Sequence, residues 1–314
     1  MNEYQKVALE TRKKISKLTL DQQRELLKLY ESTIDDLASK ATSARDKSLT
    51  RRWALDYKKA LQKEAKNLHA EIREQTVKAI ELSAELATFP EEWFYKEIFS
   101  KVDMDIGPHF TQMFSQTKKE VLKDIVSGGL YKDNKTLSAR IWDTSNKFEK
   151  DMQYIVNQGM LEGKSALELA RDLEKFVKDP AKRGFDWGKV YPNLRNTKID
   201  YNAQRLARTS INHAYQTSTI KSSSMNPFVE GIEWQSAMIH GRTCQLCIDR
   251  DGQIFSKDSV PLDHPQGLCT MLPYISQSLD QVADELRDWL DGDNNSKIEQ
   301  WYNKYDQHFA FKKI

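Results

Sequence analysis

All three cysteines of this 314-residue chain, Cys244, Cys247 and Cys269, fall within 26 positions, with His264 between them. The spacing is Cys-x2-Cys, sixteen residues, His, four residues, Cys. A two-residue gap lets two thiolates reach one ion from a tight turn. With His264 and Cys269 the set would make a tetrahedron of soft and borderline ligands, which suits Zn²⁺. Four protein ligands leave no open position, so such a site would be structural rather than catalytic. Two other readings compete. The cysteines are small enough to be buried hydrophobes beside a hydrogen-bonded histidine, or Cys244 and Cys247 form a reversible dithiol. The sixteen residues before His264 are expected to hold a hairpin that returns the second ligand pair.

The second residue set with chemistry is basic. Arg195, Lys198, Arg205, Arg208 and Lys221 lie in one segment against a single Asp200, with Tyr201 and Tyr215 among them. Such a segment reads either as a solvated helix face or as a weak, salt-dependent contact to nucleic-acid phosphates. Global charge does not argue for nucleic acid, since the net charge is +2. Residues 201–314 are mildly acidic, with 11 basic and 14 acidic groups.

The elements around these residues read as mainly helical. Thr19-Leu20-Asp21-Gln22 has the form of a capping box, followed by an apolar stripe at Leu26, Leu27, Tyr30, Ile34 and Leu37. A long charged helix is expected over about 43–85, interrupted at Thr88-Phe89-Pro90. An apolar face resumes at Trp93, Phe94, Ile98 and Phe99. Breaks are expected at Gly107-Pro108 and Ser127-Gly128-Gly129. Leu137 starts a helix that ends at Gly163-Lys164, and Ser165-Ala166-Leu167-Glu168 opens a short one bearing Leu169, Leu173 and Phe176. Lys178–Thr197 reads as an irregular connection.

A helix from near Ile199 then lines Ala203, Leu206, Ala207, Ile211 and Ala214 on one face, with Arg205, Arg208, His213 and Lys221 off it. Leu206, Ile211 and Trp234 are expected in the core. Gly231-Ile232-Glu233-Trp234-Gln235 alternates as a strand, and Asp251-Gly252 turns into a second at Gln253-Ile254-Phe255. Ser278-Leu279-Asp280-Gln281 caps a helix with Leu279, Val282, Leu286 and Leu290 inward, in a stretch with seven acidic residues and two basic ones. The expected fold class is therefore mainly α: long N-terminal helices followed by a small α+β C-terminal module with a Cys/His cluster.

Composition excludes several classes. Mean hydropathy is −0.71, and no apolar run approaches the roughly 18 residues of a membrane span. No apolar core follows Met1, so a signal peptide is not expected. Three cysteines are too few for a disulfide scaffold.

The order of motifs resembles the Mu F-like head morphogenesis family of tailed bacteriophages, also called minor head or minor capsid proteins. Leu137-Ser138-Ala139-Arg140-Ile141-Trp142 is followed by Gly163-Lys164-Ser165-Ala166-Leu167-Glu168-Leu169-Ala170-Arg171-Asp172-Leu173. Then come Ala207-Arg208-Thr209-Ser210-Ile211-Asn212-His213-Ala214-Tyr215 and Gly231-Ile232-Glu233-Trp234. Gly241-Arg242-Thr243-Cys244, Asp251-Gly252, His264-Pro265, Cys269 and Pro273 complete the run. Three positions depart from the family pattern: Ser210, His240, and a His264-to-Cys269 stretch with a single cysteine. The resemblance implies a non-enzymatic head protein inside the virion near the portal vertex, and in the host cytoplasm during assembly. Implied partners are portal protein, other head proteins and, non-specifically, double-stranded DNA, in head morphogenesis and genome packaging or ejection. The resemblance is clearest over about 135–275, and the expected division is a helical region over 1–130, the head module over 131–277 and an acidic helical tail over 278–314.

Rival functions are weighed on their required residues. A His-metal finger nuclease would share Cys-x2-Cys and Leu262-Asp263-His264-Pro265, but needs an open metal position and further ligands downstream, where only Asn303 and His308 stand. A zinc deaminase needs a His-x-Glu that does not occur. A fused toxin domain is not expected in the 41 residues after Pro273. A generic helical scaffold or adaptor would use the long helices equally well.

Overall fold

The computed structural model describes residues 1–42, 51–104, 110–177, 201–238 and 243–309. The Lys178–Thr197 connection, Gly107-Pro108, Arg195, Lys198, His240 and Arg242 lie outside them. The chain is mainly helical, with one small sheet near its C-terminal end. Two long helices come first, α1 (Glu3–Thr42) and α2 (Arg51–Lys101), then α3 (Gln112–Ser127), α4 (Leu137–Leu161), α5 (Ala166–Val177) and α6 (Tyr201–Ser224). The module after α6 comprises β1 (Gly231–Gln235), a short α7 (Gln245–Arg250), β2 (Ile254–Phe255), β3 (Thr270–Tyr274), α8 (Leu279–Leu290) and α9 (Ser296–Tyr305).

Contacts divide the chain into two compact units that interleave in sequence: 1–19, 78–125 and 209–314 form one, and 20–77 with 126–208 the other. Their bounds therefore differ from the consecutive segments 1–130, 131–277 and 278–314.

In the second unit most of the stripe read from sequence is buried: Leu26, Tyr30, Ile34 and Leu37 have no exposed surface, while Leu27 is half-buried. Tyr30 meets Phe148 of α4 edge to face at 5.7 Å, and α4 packs on α5. Thr136 caps α4 by accepting from the Ala139 N–H at 3.1 Å. Ser165 and Glu168 cap α5 reciprocally, as expected: the Ser165 N–H donates to Glu168 at 2.8 Å and the Glu168 N–H to Ser165 at 3.3 Å.

The first unit carries an aromatic core from α2, α3, β1, β3, α8 and α9. Phe94, Tyr95, Phe99, Phe114, Trp234, Met271, Leu286 and Trp289 are essentially fully buried in it, and Tyr95 stacks on Trp301 at 5.6 Å. The sheet order is β2-β1-β3, antiparallel throughout, with Trp234 opposite Met271 and Ile232 opposite both Phe255 and Pro273. The β1 and β2 strands and the Asp251-Gly252 turn stand where the sequence places them. Gly252 adopts φ +74°, a left-handed conformation that favours glycine. The capping box at Ser278 is complete, with bonds of 3.2 and 2.8 Å. Trp289, Ile298 and Trp301 sit in the same core as Trp234, so 278–309 belongs to this unit rather than trailing it as a tail. The acidic side chains of α8 are largely on its solvated face.

Three local expectations fail. Thr19 lies inside α1, and its hydroxyl donates back to the Ile15 carbonyl at 2.9 Å rather than capping a new helix. Pro90 does not interrupt: α2 passes through it, because the turns beyond it bury Phe94, Tyr95, Ile98 and Phe99. Each such side chain contributes about 1.5–3 kcal/mol, against a proline cost of about 3 kcal/mol. The segment between Cys247 and His264 forms no hairpin of its own; its strand β2 pairs with β1 instead.

Candidate metal centre

Local backbone rules place the first ligand pair. Cys244 is the N-cap of α7, and its carbonyl accepts from the N–H groups of Cys247 at 3.0 Å and Ile248 at 3.1 Å. The Cys244 side chain itself makes no cap hydrogen bond; the nearby Cys247 N–H is the largest cause holding the Cys244 thiol below its usual pKa, and the Cys247 and His264 side chains act in the same direction. The second pair comes from the loop between β2 and β3. The candidate ligand atoms of Cys244, Cys247 and His264 lie within 4.8 Å of one another, as do those of Cys247, Asp263 and Cys269. The four residues picked from spacing therefore lie close together and could bind a metal, with the Cys247 sulfur common to both groups. Cys247 and Cys269 are buried and Cys244 is exposed.

Asp263 completes the centre, and sequence reasoning missed it. Its carboxylate is fully buried. One oxygen accepts from the His264 N–H at 2.8 Å; the other accepts from the Cys269 N–H and Asn212 Nδ2, each at 3.2 Å. Three donors occupy it, so it ties the two ends of the ligand loop together and to α6, and is committed to these donors rather than to an ion. Gly267 closes over it: a Cβ there would stand 2.0 Å from an Asp263 carboxylate oxygen.

The loop is held by α6. Thr209, Asn212, His213 and Gln216, at i, i+3, i+4 and i+7, form one polar stripe. Thr209 Oγ1 accepts from the Gln266 N–H at 3.0 Å, and His213 Nε2 donates to the Asp263 carbonyl at 3.0 Å. Gln216 accepts from the Asp263 N–H at 2.8 Å and donates to the Pro261 carbonyl at 2.7 Å. Below the stripe, the Tyr215 hydroxyl bridges the Met271 N–H and carbonyl. The sequence placed His213 off the packed face, but it is 3% exposed, because the loop covers it.

Electrostatics favour a cation here. Burial pushes the Cys247 thiol up, as do its Cys269 and Cys244 neighbours. Burial raises Cys269 as well, and the Asp263 charge adds to it. A divalent ion would reverse both penalties, since thiolate is the ligating form. Burial works to lower the His264 pKa, but the Pro265 carbonyl, the Asp263 carboxylate and Cys244 leave it raised. His264 Nδ1 lies 3.0 Å from the Pro265 carbonyl. A carbonyl only accepts, so Nδ1 carries the proton and Nε2 keeps its lone pair. The buried indole Nε1 of Trp234 has no oxygen partner and lies against the Cys269 sulfur; a Cys269 thiolate would be its acceptor. Donor set, tautomer and this orphaned N–H all fit a Cys₃His ion. Zinc–sulfur bonds of about 2.3 Å imply ligand separations of about 3.8 Å, so Cys269, which shares a 4.8 Å group with Cys247 but not with Cys244 or His264, would have to close on those two.

The basic segment fares differently. Lys221 is paired with Asp124 at 3.2 Å and Glu120 at 3.4 Å. Arg208 is half-buried, with its Nε unpartnered among the described residues and its pKa lowered by burial. Arg205 is exposed, and Leu206, expected in the core, is only half-buried. Ile211 and Trp234 are fully buried. No protein-family model, curated protein or solved structure matches this chain.

Proposed function

We propose that the chain is a non-enzymatic minor head protein of a tailed phage or prophage, in which a structural Zn²⁺ bound by Cys244, Cys247, His264 and Cys269 pins a docking module. One observation carries the reading. The separated motifs that give the resemblance, 207–215 on α6, 231–234 on β1, 244–252 around α7 and 264–273 through β3, converge on one Cys/His cluster, and the α6 motif spends its polar side chains holding the cluster's loop. Residues whose task is to hold a loop serve a scaffold better than a reaction. Bound zinc would supply cross-linking of the two ligand pairs, with folding free energy as its contribution. Portal protein and the inner head surface are the partners, and the virion near the portal is the location.

The test is affinity capture of the tagged chain during head assembly. The reading expects portal protein in the eluate and the chain in purified heads at low copy. Heads that form, package DNA and infect normally without it, and that never contain it, would refute it.

A further inference from the structure

A cleft of about 390 Å³ lies in the first unit, between the C-terminal end of α6, the segment after β2 and one face of α9. Three lysines line it: Lys257, Lys297 and Lys304. Lys297 and Lys304 stand seven apart on α9, on one face of the helix. Among the described residues, none of the three has a carboxylate within the 4 Å of an ion pair. Rings and a carbonyl position them instead. The Lys297 ammonium sits 5.2 Å from the centre of the Phe228 ring and that of Lys304 5.3 Å from Tyr305, while Lys257 donates to the Asn226 carbonyl at 3.2 Å. Those contacts fix a cation without neutralising it. The nearest acids act only through space: Glu230 on Lys297, and Asp258 and the buried Glu91 on Lys257. Burial, with Lys297 adding to it, lowers the Lys257 pKa, as expected where cations crowd.

The setting sharpens the contrast. Seven carboxylates and only two basic groups occupy 278–300, yet the three lysines of residues 225–309 all line one concavity. The first turn of α9 lines the same cleft, where Asn295 already satisfies the Ile298 N–H at 3.2 Å. The N–H groups of a helix's opening residues have no intrahelical partner, and the helix dipole adds positive potential there.

We propose that this cleft binds phosphate oxyanions, either successive phosphates of a nucleic-acid backbone or a free oligophosphate, through Lys257, Lys297 and Lys304. It is distinct from the segment 195–221, whose Arg195 and Lys198 lie outside the described residues, and it stands independently of the metal reading.

The experiment uses the full chain and two probes: a fluorescein-labelled 20-base-pair duplex of arbitrary sequence, read by anisotropy, and inorganic triphosphate, read by calorimetry. Each neutralised phosphate contributes a salt slope of about −0.9, so three lysines predict about a 500-fold fall in duplex affinity between roughly 20 and 200 mM salt. The pair Lys297→Gln and Lys304→Gln should weaken binding and cut that fall to about 8-fold. Lys297→Arg with Lys304→Arg should retain binding, and Lys221→Gln, which removes an already paired lysine, should change nothing. Duplex binding with this slope assigns the nucleic-acid backbone; triphosphate binding alone, lost in the glutamine pair, assigns a free oligophosphate. Binding of neither probe, or binding indifferent to the glutamine pair while melting is unchanged, overturns the proposal. If the glutamine pair does not fold, Lys304→Gln alone decides, with the same outcomes.

Discussion

Replacing Asp263 with asparagine should loosen the whole ligand loop. The substitution keeps the shape and removes one acceptor. One carboxylate oxygen now serves the His264 N–H; the other serves the Cys269 N–H and Asn212 Nδ2. An amide can place its oxygen on one side only. In its better orientation the oxygen takes Cys269 and Asn212, and the NH₂ confronts the His264 N–H. One buried donor is then orphaned, at about 1–3 kcal/mol, and the remaining bonds lose the charge that roughly doubles their strength. The expected loss is about 2–4 kcal/mol. It should appear as about a 30- to 1,000-fold acceleration of amide hydrogen exchange at His264, Gln266 and Cys269. The exposed Asp284→Asn, which loses an ion pair with Arg287 on its own helix, should stay within about 0.5 kcal/mol of the parent. Exchange at the three loop amides within about threefold of the parent would refute the role given to Asp263.

Gly267→Ala should be severe alone, because the new Cβ and the Asp263 carboxylate cannot share the space. In an Asp263→Ala background it should add little, a non-additivity that a double-mutant cycle in urea would measure. Glu91 gives a pH test. Its carboxyl is buried beneath Tyr4 and Asn226, and burial holds its pKa above the ordinary value, with its hydrogen-bond partners pulling the other way. The folded state thus binds the proton more tightly than the unfolded one. The stability this contributes is complete below the unfolded carboxyl pKa and is lost as pH rises through the folded one. Glu91→Gln should flatten the stability–pH curve across that window and gain on the parent toward neutral pH. An unchanged curve from acid to neutral pH would refute the assignment.

Much of the helical frame was legible because burial and period agree: the 26–37 stripe, the Phe94–Phe99 face and the caps at Ser165 and Ser278 each follow from local chemistry. Pro90 and Thr19 misled for one reason. Both are boundary signals of isolated helices, and tertiary burial overrides them in helices of 51 and 40 residues. The Cys/His quartet was readable from spacing. Its organiser was not, because the stripe Thr209, Asn212, His213, Gln216 has the same period whether it faces water or a loop. The available clue was chemical: all four side chains are polar and none is Lys, Arg, Asp or Glu, whereas a solvated face usually carries charge. Asp263 gave no signal, since its partners, two backbone N–H groups and the Asn212 amide, are brought in by the fold.

Elemental analysis of the chain purified under reducing conditions, followed by X-ray absorption at the zinc edge, tests the metal centre most directly. The arrangement around Cys247 predicts one zinc per chain, with three sulfurs at about 2.3 Å and one nitrogen at about 2.0–2.1 Å, and loss of that zinc in Cys247→Ser. A folded chain with no stoichiometric metal, or with metal that survives Cys247→Ser in the same ligand shell, would contradict it.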